Sequence, residues 1–189
     1  MTGPLVVLVG PMGVGKSTVG AVLAERLGVG YRDSDEDIVA AEGRAISDIF
    51  VDDGEDHFRA LERAAVAAAL REHTGVLALG GGAVLAEETR ELLAGRPVVF
   101  LDVEVGEAVR RVGLNQARPL LAVNPRQQWR TLMDARRPLY TEVARAVVAT
   151  DGLDPDEVAD AVLDTLKIRP AGPAEQADRT EPTGQENTA

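Results

Sequence analysis

Leu5-Val6-Val7-Leu8-Val9-Gly10-Pro11-Met12-Gly13-Val14-Gly15-Lys16-Ser17-Thr18 decides the fold. Its apolar run reads as a buried strand that stops at Gly10. The segment from Gly10 to Ser17 fits G-x-x-x-x-G-K-[ST], a loop built to hold phosphate. Residues 17–27 then read as a helix, with Val19, Val22, Leu23 and Leu27 at three- and four-residue spacing. Each piece has a physical reason. Glycines let the backbone wrap closely around an anion. The amides then point inward at a helix N-terminus, where the dipole also favours negative charge. Lys16 is expected to reach the β- and γ-phosphates, and the Ser17 hydroxyl to hold Mg²⁺. The chain has only two lysines, Lys16 and Lys167, beside eighteen arginines, and one of the two fills the position where the motif calls for lysine. ATP or GTP binding follows, with Gly13, Val14, Gly15, Lys16, Ser17 and Thr18 as the nucleotide-binding residues.

Outward from that loop, short apolar runs alternate with longer segments of helical period. This is the pattern of an α/β fold with a mostly parallel sheet. Strands are expected at 5–9, 29–32, 76–79, 97–101 and 146–149. Helices are expected at 17–27, 55–72, 87–94, 104–112, 126–143 and 155–167, the last with Asp154 as N-cap and Pro155 at its first position. The polar stretch 113–125 has the length and composition of a mobile lid. One domain is expected over residues 1–169. Residues 170–189 hold almost no large apolar side chain and read as a disordered acidic tail.

Composition narrows the function further. The 189 residues are 45% hydrophobic and 27% charged, an ordinary globular balance. Acidic residues outnumber basic ones 31 to 20, for a net charge of −11. That is a poor match for a nucleic-acid backbone or an anionic membrane surface. The absence of cysteine excludes disulfide scaffolds, zinc ribbons and thiol catalysis. The N-terminus lacks the charged region of a signal peptide, and no apolar run approaches the roughly 20 residues needed to cross a bilayer. A cytoplasmic protein is expected.

Many phosphate-loop proteins end a second apolar strand with an Asp that supports Mg²⁺. Here the run 76–79 ends in Gly80-Gly81-Gly82. Asp33 and Asp35 are the candidates to supply the acid, since residues two apart on an extended segment face one side. A solvated acidic turn capping the next helix is the plainer alternative. The three glycines suit either a ligand approaching the main chain or a flexible turn. Arg59 and Glu62 lie three apart on one helical face, although Glu55 and Arg59 would also make an ordinary surface pair. Arg136 lies one turn before Tyr140, where packing of one side chain over the other would suffice. His57 and His73 have no partner at metal-ligand spacing and read as structural.

Together the phosphate loop, Asp33-Ser34-Asp35, Phe58-Arg59-Ala60-Leu61-Glu62, Gly80-Gly81-Gly82, Arg118-Pro119-Leu120-Leu121 and Arg136 before Tyr140 resemble the shikimate kinase family, over about residues 4–168. The resemblance implies a P-loop kinase: a twisted five-stranded parallel sheet of order 2-3-1-4-5, helices on both faces, and a lid. It implies shikimate and ATP as substrates and Mg²⁺ as cofactor, with the γ-phosphoryl group passing to the 3-hydroxyl of shikimate. By the same resemblance Asp35, Arg59, Gly80, Gly81, Gly82 and Arg136 bind shikimate, the two arginines on its carboxylate. Asp33 supports Mg²⁺ with Ser17, and Lys16, Asp35 and Arg118 carry the chemistry, Arg118 from the lid. Arg111 and the loop before Pro155 match positions that flank adenine. One departure is visible: the Thr often found after the arginine matching Arg111 is Val112 here. No nucleic acid or membrane partner is expected, and a monomer is. Two rivals stand beside this reading. One is a related kinase with gluconate or a nucleoside monophosphate as acceptor, the latter wanting more lid arginines. The other is a nucleotide-binding protein without turnover.

Overall fold

Five short strands pair into one parallel sheet in the computed structural model, which describes residues 3–113 and 124–169. They are β1 (Val6–Val9), β2 (Tyr31–Asp33), β3 (Val76–Ala78), β4 (Val98–Asp102) and β5 (Ala146–Ala149). Their order across the sheet is β2-β3-β1-β4-β5, as the resemblance implied. In register, Leu8 of β1 stands opposite Ala78 of β3 and Val99 of β4. Every residue of β1 is buried, which is why that strand is a continuous apolar run rather than an alternating one. β5 closes one edge and leaves Val147 exposed.

The helices around the sheet are α1 (Lys16–Leu27), α2 (Ser34–Glu42), α3 (Ile46–Asp52), α4 (Gly54–Glu72), α5 (Glu87–Leu93), α6 (Val105–Gly113), α7 (Pro125–Val143) and α8 (Pro155–Leu166). The main core joins all of β1 to Leu23, Leu70, Phe100, Trp129, Tyr140 and Leu163, among others. Phe100 and Tyr140 stack within it at 4.9 Å between ring centroids. α8 carries the expected capping box: Asp154 accepts from the Glu157 amide, and Glu157 accepts from the Asp154 amide.

Two elements differ from the sequence reading. α2 and α3 have no helical stripe of their own; Ile38 and Ile49 are their only buried apolar residues. They form because both pack on α4, enclosing a second small core of Ile38, Ile49 and Phe58. In addition, Gly20 lies inside α1, where glycine costs about 1 kcal/mol relative to alanine. A Cβ there would overlap the Tyr31 ring, which lies directly against the helix.

The topology gathers the loops that matter. In a parallel sheet, ligands collect beyond the C-terminal ends of the strands. With β3 beside β1 and β2 beside β3, the segments following Val9, Asp33 and Ala78 emerge as neighbours. Most of the expected lid, with Arg118, lies outside the described residues, as does the tail 170–189. No described helix is long and apolar enough to cross a membrane.

Candidate active site

The turn from β1 into α1 frames one wall of a cleft of about 300 Å³, lined by Met12, Gly13, Gly15, Lys16, Ser17, Thr18, Asp33, Asp35, Leu79, Gly81 and Arg111. Gly15 caps α1 with φ 97°, in the left-handed region that a Cβ disfavours. Lys16 donates to the carbonyls of Gly10 at 2.8 Å and Pro11 at 3.1 Å, so its ammonium lies over the loop itself. Val14 is the loop residue whose side chain turns away: it is buried in the core, and its backbone bonds the Pro11 carbonyl and Arg111.

Asp33 joins the phosphate loop to β2. Its Oδ2 accepts from Ser17 Oγ at 3.4 Å and from Tyr31 Oη at 3.1 Å, and its Oδ1 accepts from the Asp35 amide at 2.9 Å. Burial and the Asp33 charge both raise the Tyr31 phenol pKa, so the hydroxyl stays protonated and donates. The expectation that Asp33 and Asp35 share one extended segment is corrected. β2 ends at Asp33, which caps α2, and Asp35 lies in the first turn of that helix. The capping and cleft-lining readings are therefore both true of Asp33.

Ser34 carries a role that the sequence reading did not assign. It is fully buried, and its Oγ accepts from the Gly80 amide at 3.0 Å, fastening the Asp33–Asp35 turn to the glycine turn. Ser34→Ala would leave a buried amide without an acceptor. It is expected to lower the unfolding free energy by about 1–3 kcal/mol in urea titration, with Ser34→Thr retaining most of it.

The glycine turn is crowded from three sides. A Cβ on Gly80 would overlap Asp35 Oδ1 and lie 3.0 Å from Glu62 Oε1. One on Gly82 would overlap the Arg59 guanidinium, so closeness of approach rather than flexibility explains both glycines. Arg59 Nη1 donates to Glu62 at 2.7 Å and Nη2 to Glu55 at 3.1 Å. The surface pair exists, but the buried carboxylate, Glu62, holds the closer contact. On the far side, Arg136 Nη1 and Tyr140 Oη both donate to the Gly81 carbonyl, at 3.1 and 2.6 Å. Burial pushes the Tyr140 phenol up to about 12, which keeps it a donor. Arg59, Gly80, Gly82 and Arg136 thus meet at the glycine turn without being among the cleft-lining residues.

Arg111 closes the other end. It donates to the Val14 carbonyl at 3.3 Å, to Thr150 Oγ1 at 3.1 Å and to the Thr150 carbonyl at 3.0 Å. Glu107, held down to about 2 by hydrogen bonds from Arg110 and Arg111, anchors it from one turn back. Pro155 starts α8 beyond this loop and does not line the cleft. His73 is structural: its Nε2 lies 3.0 Å from the Val76 carbonyl and 3.2 Å from that of Gly30.

A glycine-rich loop thus leads into the N-terminus of α1, and arginine, amide and carboxylate groups gather around residues 80–82 next to it. Such a division of one cleft belongs to the P-loop kinases that phosphorylate small molecules. A sequence model of the shikimate kinase family matches residues 12–167. A shikimate kinase of Streptomyces avermitilis is 72% identical over 90% of this chain and all of its own length, and one of Streptomyces coelicolor is 68% identical over the same shares. Among solved structures, a shikimate kinase from Acinetobacter baumannii in complex with shikimate superposes with a TM-score of 0.81. It is 36% identical and covers 96% of this chain and 97% of its own. The chain belongs to the shikimate kinase family and is an ATP-dependent phosphotransferase.

Proposed function

We propose that the chain transfers the γ-phosphoryl group of ATP to the 3-hydroxyl of shikimate, giving shikimate 3-phosphate and ADP. The observation that carries this reading is the meeting of Asp35, Arg59 and Arg136 on one glycine turn beside Lys16. A hydroxylated carboxylic acid needs these groups: a guanidinium fork for its carboxylate and a carboxylate for its hydroxyls. Arg59 and Arg136 take the shikimate carboxylate, and the residues from Gly80 to Gly82 let its ring approach the main chain. Asp35 accepts from the hydroxyl to be phosphorylated. Lys16 and Arg118 offset charge on the phosphoryl oxygens, and Arg111 borders adenine with the loop before Pro155. Little covalent work falls to the protein; alignment and exclusion of water dominate.

The donor set suits a divalent cation of the hard, oxygen-seeking kind. Ser17 Oγ and Asp33 Oδ2 stand 3.4 Å apart beside the loop, and Mg²⁺ is typically held by one or two protein oxygens plus phosphates and water. When bound there, Mg²⁺ neutralises charge on the β- and γ-phosphates. The protein is proposed to act in the cytoplasm as a monomer with one kinase domain, residues 1–169.

ADP release from ATP and Mg²⁺, with and without shikimate, tests the assignment. Strong stimulation by shikimate is expected; stimulation by gluconate or a nucleoside monophosphate instead would replace the acceptor. Arg136→Ala is expected to raise the KM for shikimate about 10- to 100-fold, the loss of a charge-assisted contact. The KM for ATP should stay nearly unchanged, because Tyr140 still holds the Gly81 carbonyl. Equal weakening of both substrates would contradict the role.

A further inference from the structure

We propose that the Tyr31 hydroxyl is a positioning group for Asp33 and thereby sets how tightly the site holds the divalent cation that accompanies the nucleotide. The inference rests on the metal role proposed for Ser17 and Asp33. It begins with strand periodicity: Tyr31 and Asp33 are two apart on β2, so their side chains leave the same face. The phenol donates to Asp33 Oδ2 at 3.1 Å, on the oxygen that also faces Ser17 Oγ.

A carboxylate has about four acceptor positions. Three described donors engage Asp33: Ser17, Tyr31 and the Asp35 amide. That leaves room for one more, the place a metal-bound water would take. Without the phenol, Oδ2 keeps the long contact to Ser17, and only the Oδ1 bond from the Asp35 amide restrains the carboxylate firmly, so Oδ2 is held less well in place. Orientation held in advance does not have to be gained on binding.

The chain has built a seat for this ring. Gly20 faces it from inside α1, and no side chain other than hydrogen would leave space. A phenylalanine would fill the same seat. Filling therefore does not account for the hydroxyl, which donates to Asp33 and lies within hydrogen-bonding reach of Ser17, the pair proposed to hold the cation.

The test is the dissociation constant of ADP measured by calorimetry, once with Mg²⁺ or Mn²⁺ and once with chelator, in the wild-type chain and in Tyr31→Phe. The ratio of the two constants isolates the metal. Tyr31→Phe is expected to reduce that ratio three- to tenfold while leaving metal-free ADP binding and the KM for shikimate within twofold. A structural role alone would move thermal stability and not the ratio. Gly20→Ala, which displaces the ring by a different route, is expected to reduce the ratio in the same direction. An unchanged or raised ratio in Tyr31→Phe overturns the proposal, as does equal weakening of ADP with and without metal. Since no shikimate is present in the binding experiment, a failure of the acceptor assignment would leave its result standing.

Discussion

Asp35→Asn is expected to lower kcat about 10²- to 10⁴-fold, the range that a positioned general base contributes. The substitution is nearly isosteric, so the packing against Gly80 survives and the change is confined to charge and proton acceptance. The KM for ATP is expected to stay close to its wild-type value, because the nucleotide phosphates are assigned to the loop before α1. Steady-state kinetics with each substrate varied separately would show the split. A loss of tenfold or less would mean that Asp35 orients the hydroxyl without taking its proton. A large rise in the KM for ATP would mean that the acid serves the nucleotide instead.

The position of Asp35 shows what a sequence reveals and what it withholds. Its membership of the site was legible from two neighbouring facts: the missing acid after residue 79, and a parallel sheet that brings strand ends together. Its conformation was not. The extended reading put Asp33 and Asp35 on one face by alternation, but Asp33 caps α2, and the helix begins between them. An Asp followed by acidic residues is a helix start, because the side chain caps the free amides and the acids complement the dipole. α2 and α3 carry little periodic signal for another reason: each buries a single aliphatic side chain, and their stability comes from packing on α4, which sequence periodicity does not pair with them.

The phosphate loop was the most legible element because its chemistry is local: glycine, lysine and hydroxyl at set spacing. Sheet order came with the family resemblance, since periodicity assigns strands but does not rank them. Contacts between distant residues were the least legible. Ser34 to Gly80 spans 46 positions and Tyr140 to Gly81 spans 59, and nothing in composition pairs them. The contact of Tyr31 with Asp33 is local by contrast, two residues apart on one face of β2.

Lys16→Met is expected to reduce kcat/KM at least 10²- to 10³-fold, the usual effect of removing one preorganised donor from charge that develops in a transition state. Methionine keeps much of the length of the side chain and removes the ammonium. The fold should tolerate it: the ammonium donates to the Gly10 and Pro11 carbonyls on a loop that water reaches. An unchanged urea midpoint beside ADP release at background level is the expected pair of results. Lys16→Arg should not restore turnover. A guanidinium is broader and fixed in a fork, whereas the loop offers a narrow approach to a compact point charge. That distinction gives physical meaning to a lysine in a chain with eighteen arginines. If Lys16→Arg turned over within tenfold of wild type, positive charge alone would suffice at this position, and the compact ammonium would not be what the loop requires.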